Sequence, residues 1–189
     1  MKEKSKSRWL EGWQPEEGKW DSALAHKTGM ITTFNLGLAF CTWFLASALA
    51  PKLQGLGFQF TKGELYWLTA IPGLAGGIFR LIWMFLPPIL GTRKLITLTM
   101  VLLLFPLVGW GMAVQNPNTT YQHFLLLAFL SGIGGGAFSG FMPSTSYFFP
   151  KRMQGTTLGL QAGLGNFGVS FVQFLTPWIV GFSLIGVMG

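Results

Sequence analysis

Residues 65–90 read LYWLTAIPGLAGGIFRLIWMFLPPIL, twenty-six residues with a single charge, Arg80. A hydrocarbon core about 30 Å thick is crossed by about 20 helical residues, so this run is long enough to span a bilayer. Working outward, the same pattern recurs on both sides. Toward the N-terminus lies Gly29–Ala50, ended by Pro51. Toward the C-terminus lie Leu95–Val114, ended by the turn-rich Gln115–Thr120, then Tyr121–Phe149, ended by Pro150. A last run starts near Gln154 and continues toward Gly189, with Pro177 as a kink site. Its length exceeds a simple span and predicts tilt or a break. The expectation is an all-α polytopic membrane protein of about five transmembrane helices.

Composition agrees. Charged residues make up 10% of the 189, against about 25% in a typical soluble domain. The 18 Phe and 8 Trp exclude a disordered chain, and one Cys excludes a disulfide scaffold. The net charge of +7 does not point to nucleic acid, because its placement is wrong for a phosphate backbone. From Leu65 to Gly189 there is no Asp or Glu and there are five basic residues.

The first 28 residues differ. They hold six Lys/Arg and five Asp/Glu together with Trp9, Trp13 and Trp20, rings suited to a headgroup boundary. Residues 1–28 therefore read as a polar, interfacial lead, and 29–189 as the membrane-spanning part. No cleavage pattern of a signal peptide follows the lead. The lead and the even-numbered connections carry ten Lys/Arg, against two for the odd ones, which predicts a cytoplasmic N-terminus. The chain ends without a polar tail, and we read it as the N-terminal portion of something longer. No internal repeat is evident.

Arg80 lies about 15 Å from the connection at Gly91, counting 1.5 Å per helical residue, near mid-bilayer. An arginine there costs about 2.5–3.5 kcal/mol on insertion scales and needs a partner. Either an acid from outside these residues pairs with it, or it binds an anion. Phe138 and Asn166 fall at about 16–18 Å from their own cytoplasmic ends, in the same layer on two further helices. A guanidinium fork, an aromatic face and an amide suit a small planar oxyanion. The plainer readings are packing for Phe138 and an interhelical hydrogen bond for Asn166. Gly132, Gly136 and Gly140 share one helix face, and Gly155, Gly159 and Gly163 share another. Such faces allow close backbone approach, either as static packing or as surfaces on which helices slide. Gly165 and Gly168 flank Asn166 and would permit unwinding there. His26, His123 and Cys41 are scattered, so no metal site, catalytic set or cofactor motif is expected.

Three stretches carry a family resemblance. They are Gly134-Gly-Gly-Ala-Phe-Ser-Gly-Phe-Met, Ser146-Tyr-Phe-Phe-Pro-Lys, and Gly155 through Leu158-Gly-Leu-Gln-Ala-Gly-Leu-Gly-Asn-Phe-Gly-Val-Ser. Together they resemble the nitrate signature of the nitrate/nitrite porter family, within the major facilitator superfamily. Trp13-Gln-Pro-Glu-Glu, Leu68-Thr-Ala-Ile-Pro-Gly and Val114-Gln-Asn-Pro-Asn-Thr are similar to the NarK-type branch. The resemblance implies twelve spans in two six-span halves around a central cavity, of which this chain supplies part of the N-terminal half. It implies that Arg80 binds nitrate, that Phe138 stacks on the anion, and that Asn166, Gly155 and Gly159 are signature positions. A second arginine and further aromatics would come from the C-terminal half. Gln161 departs from the asparagine often found there, and the loop Leu90-Gly-Thr-Arg-Lys lacks the usual acid. The implied activity is nitrate/nitrite exchange by alternating access in a bacterial inner membrane, with nitrate and nitrite as substrates and no cofactor. Proton-coupled nitrate symport, carriage of another small anion, and a non-transporting anion sensor or structural subunit are the alternatives.

Overall fold

A computed structural model describes residues 13 and 15–187, with 17 and 182–187 described by backbone alone. Residues 1–12 and 14 of the charged lead, Trp9 among them, lie outside the described residues. After a short 3-10 turn at Pro15–Glu17 come six helices: α1 (Ser22–Leu53), α2 (Lys62–Trp83), α3 (Leu86–Ala113), α4 (Tyr121–Ser131), α5 (Ile133–Ser146) and α6 (Lys151–Val187).

The helix starts have local causes. Asp21 caps α1 by accepting the Leu24 N–H at 3.0 Å, so α1 begins inside the segment read as lead. Thr61 and Glu64 form a capping box on α2: Glu64 N–H donates to Thr61 Oγ1 at 3.3 Å, and Thr61 N–H to Glu64 Oε2 at 2.8 Å. Pro51, expected to end the first span, lies inside α1. Its missing N–H frees only the Ser47 carbonyl, and the helix continues to Leu53.

The second span also departs from expectation. Pro87 and Pro88 lack the N–H groups that Trp83 and Met84 carbonyls would accept, so the ladder tightens at Met84–Phe85. Met84 N–H still reaches Arg80 O at 3.0 Å, and Phe85 N–H bonds Ile82 O at 3.2 Å. Leu86–Leu90 prolongs this helical path, and the break comes at Gly91, with φ 70° and ψ 161°. Only glycine takes that φ without steric cost. The fourth span holds as one rod. Gly132 joins α4 to α5 with helical φ/ψ of −58° and −20°.

Four helical segments are long and apolar enough to cross a membrane: Ser22–Leu53, Lys62–Trp83, Leu86–Ala113 and Tyr121–Ser146. The fifth expected span, α6, runs from Lys151 to Val187 and is long enough to cross a membrane. It continues through Pro177 as a single helix. Ile89, Phe105, Met112 and Phe174 are exposed among many other large apolar side chains, as lipid-facing surfaces require. The protein is a multi-pass membrane protein.

The helices pair α1 with α6 and α2 with α4 and α5, while α5 also meets α1 and α3. One apolar core gathers Leu49, Leu53, Leu68, Trp110 and Phe124. The other gathers Leu36, Phe40, Trp83, Leu95 and Phe141. Interhelical hydrogen bonds tie the bundle across its buried faces: Trp83 Nε1 to Thr99 Oγ1 (2.8 Å), Trp110 Nε1 to Ser131 Oγ (3.3 Å), and Thr32 with Thr145 (2.7 Å). Polar side chains between helices act this way where lipid offers no partner.

The ends of the bundle sort cleanly. At one end, the lead folds onto the start of α6. Glu16 Oε1 accepts the Lys151 backbone N–H at 2.6 Å, Trp13 lies edge-on to Phe148, and Trp20 and His26 lie edge-on to Phe149. At the other end, Tyr121 Oη donates to Glu64 O at 3.2 Å.

Candidate functional site

Arg80 is the one charge in the interior of the apolar runs, and three helices meet around it. It projects from α2, two turns after Pro72 on the same face. Its Nε donates to Gly135 O on α5 at 3.2 Å. Its guanidinium carbon lies 5.6 Å from the Trp43 ring centre on α1 and 5.5 Å from the Phe138 ring centre on α5. Both distances are within reach of cation–π attraction. Phe40 on α1 stacks on Phe138 at 6.1 Å with 15° between planes, and sits 5.4 Å from Trp43.

Electrostatically, the group is isolated. Residues 65–189 contain no carboxylate, and among the described residues Arg80 makes no ion pair. The hydrogen bond to Gly135 uses only Nε, which leaves both terminal amino groups for a bidentate acceptor. Arg80 is exposed rather than sealed in the core. A permanently charged fork beside aromatic faces is equipped to hold a small planar anion.

The three expected site residues fare differently. Arg80 and Phe138 come together. Asn166 does not touch them: it is exposed, and its Nδ2 donates to Ala162 O one turn back at 2.8 Å. Its neighbour Gly165 packs on Leu36, and Gly168 packs on Gly37. Asn166 is therefore level with Leu36–Gly37, about 9 Å along α1 from Trp43 at 1.5 Å per residue. Trp43 and Phe40 were not singled out from the sequence. In a chain with 8 Trp and 18 Phe, an aromatic in an apolar run reads as packing.

The two glycine faces differ as well. Gly132 packs against Ala75 and Gly76, Gly136 against Phe79, and Gly140 against Leu95 and Trp83. This face is where α2 and α3 approach α4 and α5. By contrast, Gly155, Gly159 and Gly163 face open space, with nothing within 4 Å of a built Cβ among the described residues. Gly165 sits within unbroken helix rather than at an unwound turn. Gln161, the departure from the signature, is buried, and among the described residues neither its amide nitrogen nor its oxygen has a hydrogen-bond partner.

A largely apolar groove lies elsewhere. A cavity of about 690 Å³ runs between α1 and α6, lined largely by apolar side chains such as Phe34, Leu38, Leu160, Leu164 and Phe167. Arg152, at the groove's end, is its one fully charged lining residue. Its walls offer grease rather than anion recognition, so Arg80 remains the stronger site.

The chain is 64% identical over 187 residues to a probable nitrate/nitrite antiporter, NarK2, of Thermus thermophilus, covering 98% of this chain and 42% of that protein. It is 41% identical to the nitrate/nitrite transporter NarU of Salmonella typhimurium, covering 95% of this chain and 40% of that one. It is 39% identical to the nitrate/nitrite transporter NarU of Escherichia coli, covering 99% and 42%. The chain thus spans about two fifths of the length of these relatives. Residues 32–188 match the family model of the Major Facilitator Superfamily. On that match and on its bundle of apolar helices, the chain belongs to the Major Facilitator Superfamily and is similar, within it, to nitrate/nitrite porters.

Proposed function

We propose that this chain forms part of a nitrate/nitrite carrier working by alternating access, with Arg80 as an anion-binding group. The observation that carries the reading is the Arg80 cluster: one uncompensated guanidinium in an acid-free segment, held by Gly135 O and two rings, with its terminal amino groups unspent. Similarity to relatives named for nitrate and nitrite gives the anion its identity.

In this reading the lead and the α5–α6 turn face the cytoplasm of a bacterial inner membrane, and α6 is the fifth span. The rest of the cavity wall, with a second cation, comes from chain outside these residues. Two cations facing each other repel, and the empty carrier resists closing. A bound anion screens both and permits closure, which makes the return step depend on an anion in either direction. That logic gives exchange, and the name of the Thermus relative, an antiporter, agrees with it. No Asp or Glu lies in residues 65–189 to relay a proton.

The test uses the complete protein in nitrite-loaded vesicles. External nitrate is expected to drive nitrite efflux in the wild type, with no requirement for a pH gradient, and Arg80→Ala is expected to abolish it. Undiminished exchange in Arg80→Ala would remove Arg80 from the site. Efflux that needs the pH gradient would replace exchange with proton-coupled symport.

A further inference from the structure

We infer that Trp43 is a positioning residue for the anion site, holding the Arg80 guanidinium through its ring face; this rests on the transport reading above. Three observations converge on it. The indole Nε1 donates to Pro72 O at 2.7 Å. Pro72, Gly76 and Arg80 recur every four residues on one face of α2. The hydrogen bond therefore pins the indole to the helix face that carries Arg80. The ring then lies where only glycine permits it: a Cβ at Gly76 would come within 3.0 Å of the indole, and one at Gly135 within 2.6 Å. Gly135 is also the residue whose carbonyl receives Arg80 Nε. The same slot thus fixes the ring and one edge of the guanidinium.

An arginine side chain without a carboxylate has several rotatable bonds and nothing ionic to stop it swinging. Trp43 supplies the restraint without neutralising the charge. Indole is the strongest of the aromatic partners for a cation. A salt bridge would also orient Arg80, but it would consume the terminal amino groups. A ring face leaves them to the substrate. Phe40, touching both Trp43 and Phe138, braces the pair of rings from the α1 side. Preorganisation of this kind improves affinity by cutting the ordering cost of binding.

The experiment separates ring electronics from bulk. Nitrate-driven nitrite efflux is measured against external nitrate for the complete protein carrying Trp43→Phe or Trp43→Met, two residues close to each other in volume that both lack the indole N–H. Trp43→Phe is expected to raise the half-saturating nitrate concentration ~3-fold and Trp43→Met ~10-fold, with smaller changes in maximal rate. Equal shifts in the two variants, or none, would show a space-filling role and overturn the inference. Where a variant does not accumulate, fluorinated tryptophans incorporated at position 43 keep the shape and drain the ring face. Half-saturating nitrate that climbs with each added fluorine supports the inference, and a flat series overturns it. Wild-type protein lacking nitrate-driven efflux would instead overturn the transport reading, and this inference with it.

Discussion

At the scale of single residues, the site is part legible and part hidden. Arg80 stands out in the sequence because a charge inside an apolar run is costly and needs a reason. Phe138 follows from depth along its helix. Depth also put Asn166 in the same layer, but depth says nothing of the face a residue presents or of the offset between neighbouring helices. Trp43 was hidden for a related reason. Its defining neighbours, Gly76 and Gly135, sit on two other helices, and a single sequence does not state which faces oppose. The glycines give a contrast to test. Gly135→Ala would drive a Cβ into the Trp43 ring, and overpacking of this sort costs about 1–3 kcal/mol. Gly159→Ala meets open space and is expected to be neutral or to stabilise this chain by up to about 1 kcal/mol, as Ala does over Gly in a helix. Thermal unfolding of the 189-residue chain in detergent checks both, and equal melting points would contradict the packing described.

At the scale of elements, hydropathy located every span because backbone groups in lipid must bond within their own helix. It erred at the ends. Proline reads as a terminator, yet Pro51 lies within the last turn of α1 and Pro87–Pro88 only tighten a helical path that turns at Gly91. Helix-to-helix ties were not legible at all, since Thr99 and Trp83 look like ordinary members of apolar runs. Trp83 is 4% exposed, and its indole N–H donates to Thr99 Oγ1. Thr99→Val removes that acceptor and is expected to cost about 1–3 kcal/mol, the penalty for an orphaned buried donor. A chemical or thermal melt reads this directly, and an unchanged midpoint would show that the bond contributes nothing.

For the whole molecule, the charge pattern and the structure agree on which connections share a side. The lead meets the α5–α6 turn through Glu16, Trp13 and Trp20, while Tyr121 meets Glu64 at the other end. Absolute sidedness is a proposal from the excess of Lys/Arg at the first of these ends. Single cysteines placed in a Cys41→Ser background test it. Asn118→Cys is expected to react with a membrane-impermeant thiol reagent added outside intact cells, and Lys151→Cys only after the membrane is opened. The reverse pattern would invert the topology. Exposed glycines on α6 and the exposed Arg80 are surfaces that the proposal assigns to the transport cavity.

The central claim is that Arg80 holds a planar oxyanion through the two-pronged geometry of its guanidinium, and Arg80→Lys tests it most directly. The substitution keeps the positive charge and loses the fork. Nitrate-driven nitrite efflux by the complete protein is measured over a range of external nitrate. The account predicts half-saturation shifted upward by at least ~10-fold, the worth of one bidentate charge-assisted contact over a single one. Wild-type half-saturation and rate in Arg80→Lys would contradict it, reducing Arg80 to a point charge.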